Sequence, residues 1–186
     1  MKRALIAVIT ITFCITMMFG TALAADLKAL NFEANTVMAK IGKDKVIVKA
    51  VKAQNKKGMT LNDIKAMDKK WKAEKGLADY QKALIDNECG QRLRELWRGS
   101  TYIAEIFVMD NMGANVCMTE KTGDYWQGDE AKFVKSFNGA RGAVFVDEVE
   151  LMDVIKVEVS QVSVPVIHKG EAIGAITIGV YVGNVK

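Results

Sequence analysis

The chain has 186 residues, half of them apolar, with one histidine, three cysteines and a formal net charge of +4. That is enough apolar chain for one packed domain and excludes a disordered polymer. One histidine and scattered cysteines exclude a clustered zinc site, and no basic-aromatic pattern of a nucleic-acid binder is present.

Met1-Lys2-Arg3 is followed by an apolar run to Phe19 and by Ala22-Leu23-Ala24 ahead of Ala25. A basic start, an apolar middle and a small-x-small site predict a secretory signal peptide over residues 1–24. Its apolar run is short for a bilayer core of about 30 Å. The mature chain is therefore expected in the periplasm; an uncleaved anchor is the alternative. The expected division is a signal peptide (1–24), a helical segment (25–100) and a sheet (101–186) that forms one domain with the helices. Charge follows that division: residues 26–100 hold 17 basic and 10 acidic side chains, residues 101–186 hold 7 and 12. The simplest consequence is solvated faces and attraction between the halves, and the sharper one is a basic helical face for an anionic partner.

Leu27, Leu30, Ala34, Val37, Met38 and Ile41 recur at helical spacing. Asp44 can cap a second helix through Val51, although Val46-Ile47-Val48 also suits a strand. Thr60-Leu61-Asn62-Asp63 reads as a capping box before a helix through Ile64, Met67 and Trp71. A third stripe runs from Leu77 to Trp97 as one helix. Strands are expected over Tyr102–Met109, Ala114–Met118, Ala143–Val146, Val154–Ile167 and Ala172–Val182, with a short helix from Asp129 to Phe137 between the second and third. Asp129 is placed to cap that helix, and Pro165 suits an edge or a bulge. Hairpin-length turns require antiparallel neighbours. The expected fold is α+β, a five-stranded antiparallel sheet with long N-terminal helices on one face. Cys89 and Cys117 are left open between a disulfide, which would add roughly 3–4 kcal/mol, and two small buried side chains.

Catalysis finds no constellation. His168 lies in a predicted turn without a visible triad partner, and adjacent carboxylates such as Asp129-Glu130 or Asp147-Glu148 point apart along the chain. There is no phosphate loop, no haem-attachment motif and no calcium loop, so neither an enzyme, a cofactor nor a metal is expected.

Three groups of residues resemble one family. They are Glu105-Ile106-Phe107-Val108-Met109-Asp110 with Gly113, then Asp124-Tyr125-Trp126-Gln127-Gly128-Asp129-Glu130, then Ser163-Val164-Pro165-Val166 with Gly170 and Ile173-Gly174-Ala175. Together with the long N-terminal helices they are similar to the extracytoplasmic PAS-like sensor module called Cache or PDC, over about Leu27 to Val182. The resemblance implies a PAS-like sheet, a ligand pocket beside the Thr122–Glu130 stretch, and a role in signal transduction. Such modules usually sit between membrane helices and feed a chemoreceptor, histidine kinase or cyclase. This sequence is read as a free-standing version that would report to a membrane receptor or kinase.

For a small organic ligand of the amino-acid, carboxylate or amine class, Tyr125 and Trp126 are candidate walls. Asp129 is a candidate for an ammonium and Lys132 for a carboxylate. Gln161 and Glu105 are polar side chains in apolar strands, and Arg141 lies between glycines. The competing expectation is a structural or interaction protein with an inert PAS-like core. The near-heptad spacing from Leu27 to Ile41 would also allow a homodimer through the N-terminal helices.

Overall fold

The computed structural model describes residues 26–153 and 155–186, so the expected signal peptide lies outside the described residues. Helix α1 spans 26–41, with a π-helical stretch at Ala34–Met38. It is followed by α2 (Lys45–Asn55), α3 (Leu61–Ala73), α4 (Asp79–Asp86) and α5 (Glu88–Arg98). Next come β1 (Ile103–Met109), β2 (Asn115–Met118), α6 (Ala131–Phe137), β3 (Phe145–Val146), β4 (Glu150–Met152), β5 (Val157–His168) and β6 (Glu171–Tyr181). Among the described residues no helix is long and apolar enough to cross a membrane.

The caps explain the helix starts. Asp44 accepts hydrogen bonds from the backbone N–H groups of Val46 and Ile47, so the Val46–Val48 run is helical despite its β-branched residues. Thr60 and Asp63 form the expected reciprocal capping box. The expected helix from Leu77 to Trp97 is two helices. Asn87 adopts an extended backbone, ends α4 and accepts from Gly90 N–H to start α5, a local competition that helical periodicity does not register. The capping role expected of Asp129 is overturned as well. Glu130 is the N-cap of α6, and no side-chain cap bond is made.

The sheet is antiparallel, with the order β2-β1-β6-β5-β3, and β4 pairs with β5. It has the PAS-like α+β arrangement, with six strands in place of the five expected. The strand expected to start at Val154 begins at Val157. The segment before it folds back as β4, with Glu150 opposite Val159 and Met152 opposite Val157. Pro165 is opposite Ala175 in β6, beyond the last β3 partner at Ser163. The N–H of Ile167, two residues on, donates to the carbonyl of Gly42, so this side of β5 faces the α1–α2 corner. Pro165 therefore costs the ladder no bond.

Side chains alternate between the two faces of the sheet. Ile106, Val108, Val162, Val164, Ile176 and Ile178 turn to one face. There they bury Leu30, Ala34 and Met38 of α1, Ile47 and Val51 of α2, and Leu93 of α5. Cys89 of α5 and Cys117 of β2 are bonded across this layer, 28 residues apart in sequence. Phe107, Met109 and Ala175 turn to the other face and form a second cluster with Trp71 of α3, Tyr125 and Phe133 of α6. The charge asymmetry between halves is not neutralised inside the chain. Among the described residues, the one ion pair joining them is Lys72–Asp124 at 3.3 Å.

Candidate functional site

The second face holds a cleft. Register places Glu105 of β1 and Gln161 of β5 on either side of Gly179 in β6, so two polar side chains flank a position that has none. A Cβ at Gly179 would come 2.8 Å from Cγ of Glu105, which shows that the Glu105 side chain lies across the glycine. The next row carries Phe107, Thr177 and Ser163, with the two hydroxyls hydrogen-bonded at 2.9 Å.

The opposite wall comes from α6 and the 122–127 segment. Lys132 extends over the Phe107 ring at 5.5 Å and pairs with Glu130 at 3.0 Å. A cavity of about 270 Å³ is lined by these groups together with Glu105, Gln161, Thr122, Asp124 and Gln127. Glu105 and Gln161 also border a second opening of about 450 Å³, which continues toward Glu120, Asp147 and Glu150.

Burial raises the Glu105 carboxyl above its ordinary value, against the pull of the Lys132 ammonium and the Gln161 amide, while Glu120 adds to the rise. Among the described residues Glu105 has no basic group within 4.0 Å. The carboxylate is half-buried, and a partly desolvated carboxylate without a close cation gains from any cation that enters beside it.

The 122–127 segment is held by α3. The Asp68 carboxylate accepts from the backbone N–H groups of Tyr125 at 2.9 Å and Trp126 at 3.1 Å, and pairs with Lys72 at 2.8 Å. Burial would raise the Asp68 carboxyl, but Lys72 and the two N–H groups outweigh it and hold the group below its ordinary range. The Trp71 indole N–H donates to Thr122 O at 2.8 Å, and the Lys121 ammonium donates to the carbonyls of Glu74 and Gly76. Inside the segment, Asn115 and Gln127 amides donate to Asp124 O.

Of the residues singled out from sequence, the cleft gathers Glu105, Lys132 and Gln161. Tyr125 points into the second cluster, 5.6 Å from the Trp71 ring, where burial and the neighbouring Asp110 push its hydroxyl up to about 12. Trp126 donates its indole N–H to Met112 O and lies under the Lys65 ammonium. Asp129 and Arg141 are exposed, and the Arg141 guanidinium bonds to Asn138. Phe107 and Gln127 belong to the family-like stretches but are not among the expected ligand contacts, and Asp68 is not singled out from the sequence. Asp68 stands on the buried stripe of α3 with Ile64 and Trp71, so the available signal is a carboxylate at an apolar-face position of a lysine-rich helix.

No protein-family model matches the chain, and no curated protein does. Solved structures to which it is similar are sensor domains. The sensor domain of the V. cholerae histidine kinase DctB is 15% identical at a TM-score of 0.46, covering 87% of this chain and 54% of that one. The sensory domain of the C. jejuni chemoreceptor Tlp3 is 15% identical at 0.40, covering 84% and 63%. The ligand-binding domain of the P. aeruginosa PAO1 amino acid chemoreceptor PctC, in complex with GABA, is 11% identical at 0.35, covering 77% and 57%. The chain thus spans between 54% and 63% of the length of these domains.

Proposed function

We propose that this chain is a periplasmic sensor-type protein that binds a small organic molecule carrying an amine in the cleft over β1, β6 and β5. The observation that carries the reading is the half-buried carboxylate of Glu105, which faces a cavity of about 270 Å³ and, among the described residues, has no basic group within 4.0 Å. An ammonium seated beside Glu105 would recover the interaction that burial withholds, and the Gln161 amide would orient a neighbouring polar group. Lys132 is already paired with Glu130 and closes the far end. The charged residues of the continuation, Glu120, Asp147, Glu148 and Glu150, are all acidic, which favours a positive ligand over a carboxylate.

Occupancy would be passed outward through the 122–127 wall, because Asp68 and Trp71 tie that wall to α3. A ligand moves such an equilibrium only by binding one state better than the other. The role is binding and reporting, with a membrane receptor or kinase as the receiving partner, and no catalytic step is assigned. The test is a thermal-shift screen of amines, amino acids and short carboxylates against the wild type and Glu105→Gln. Stabilisation by amine-bearing compounds that the variant loses supports the assignment, and an unchanged response in the variant removes it.

A further inference from the structure

Two complementary surfaces lie on different parts of the chain and stay unpaired within it. Helix α2 carries Lys45, Lys49, Lys52 and Lys56 along one side, flanking a shallow groove floored by Val48 and Ala53. The helix contains no acidic residue, and of these lysines only Lys49 has an acidic partner among the described residues, Glu88 at 2.7 Å. Lys52, together with Lys169, also pushes the His168 imidazole below its ordinary value after the effect of burial, so positive potential extends to the β5–β6 turn. Like charges three and four residues apart weaken a helix, so this row is maintained at a cost to α2.

The β4–β5 hairpin is the opposite in character. Leu151, Met152 and Ile155 are 55%, 43% and 52% exposed at its tip. Asp147, Glu148, Glu150 and Glu158 flank them in sequence and register, and among the described residues none of these four has a basic group within 4.0 Å, while Asp153 in the turn is paired with Lys156 at 2.7 Å. β4 pairs with β5 alone, so its outer edge keeps unpaired backbone groups. Exposed apolar side chains ringed by charge mark a contact surface.

We propose that the α2 lysine groove of one copy receives the β4–β5 hairpin of a second copy, lysines meeting carboxylates and the hairpin tip covering Val48 and Ala53. A second copy is the occupant because each chain carries both halves of the complement and, among the described residues, pairs only Lys49 of them internally. Asp147, Glu148 and Glu150 also border the second opening of the cleft, but association is read without ligand, so the interface is tested apart from ligand binding.

Sedimentation velocity of the purified protein over a range of concentrations, at low and at high salt, tests it. The expected result is self-association at low salt that weakens as exposed charges are screened. Lys45→Glu with Lys52→Glu and Lys56→Glu should weaken it by about tenfold or more, and so should Asp147→Lys with Glu148→Lys and Glu150→Lys. An equimolar mixture of the two variants should recover association, because each then complements the other. Circular dichroism checks that both variants are folded, and the salt dependence of the wild type stands without them. A wild type that stays monomeric at low salt overturns the proposal, as does association that survives both reversals. Monomers that bind phosphatidylglycerol vesicles through the same lysines would overturn it in favour of a lipid surface.

Discussion

Asp68→Ala is the substitution that most sharply probes how the cleft wall is built. Asp68 accepts two backbone hydrogen bonds, from Tyr125 and Trp126, and pairs with Lys72. Removing the carboxylate strands two donors in a segment where Tyr125 is buried. Charge-assisted bonds of this kind contribute roughly 1.5–3 kcal/mol each. The Lys72 ammonium is half exposed and keeps Asp124 as a partner, so its share is below about 1 kcal/mol. The expected loss is therefore about 3–6 kcal/mol, a large part of the stability of a domain this size. Guanidinium denaturation at neutral pH measures it, with Asp68→Asn expected to lose less than Asp68→Ala, because both N–H groups bond to the one oxygen, Oδ1, that the amide keeps, while the charge and the Lys72 pair at Oδ2 are lost. The pH dependence has a definite sign. A carboxyl held below its ordinary value of 3.8 stabilises the fold fully above that value and loses its contribution as pH falls through the lowered one. Wild type and Asp68→Ala should therefore converge in acid. A loss under about 1 kcal/mol at neutral pH, or a gap that widens in acid, would refute the clamp.

Further outcomes follow from the same geometry. Gly179→Ala should leave the fold intact but swing the Glu105 side chain aside, cutting affinity for an amine on the order of tenfold by calorimetry; unchanged affinity would place the ligand elsewhere. Glu105→Gln should be more stable than wild type at neutral pH. A carboxyl raised above its ordinary 4.5 costs stability as pH climbs through that range, so the advantage should disappear below about pH 4 in a pH series of melts. Replacing Cys89 and Cys117 together by alanine should cost roughly 3–4 kcal/mol through the freed loop, read by denaturant titration under oxidising conditions, and a loss near zero would contradict the closed pair.

Much of the architecture is legible in the sequence because it is written in local chemistry. The capping box at Thr60 and the cap at Asp44 fix helix starts within a few residues. The alternation through Glu105, Phe107 and Met109 places three side chains on one face before any partner is known. What escapes is set by pairing across distance. β4 is invisible because Glu150, Leu151 and Met152 carry no strand signature of their own and become a strand through β5. The break at Asn87 is hidden because a capping asparagine continues the apolar period on both sides.

The candidate site divides in the same way. Glu105 and Gln161 stand out as polar residues in apolar strands, yet their convergence depends on the register that sets both opposite Gly179. Tyr125 and Trp126 attract attention as rings in a loop, but rings are also what fills a core, and Tyr125 packs on Trp71. Asp68 acquires its role only when the 122–127 segment folds onto α3.

The central claim is that Glu105 receives an ammonium in the cleft over β1, β6 and β5. Isothermal titration of wild type and Glu105→Gln, using the amine that gives the largest thermal shift, tests it most directly. The account predicts saturable binding to the wild type and a loss of at least about tenfold in the variant, which remains folded and is itself more stable at neutral pH. Equal binding by both proteins, or a wild type that responds to carboxylates alone, would contradict it.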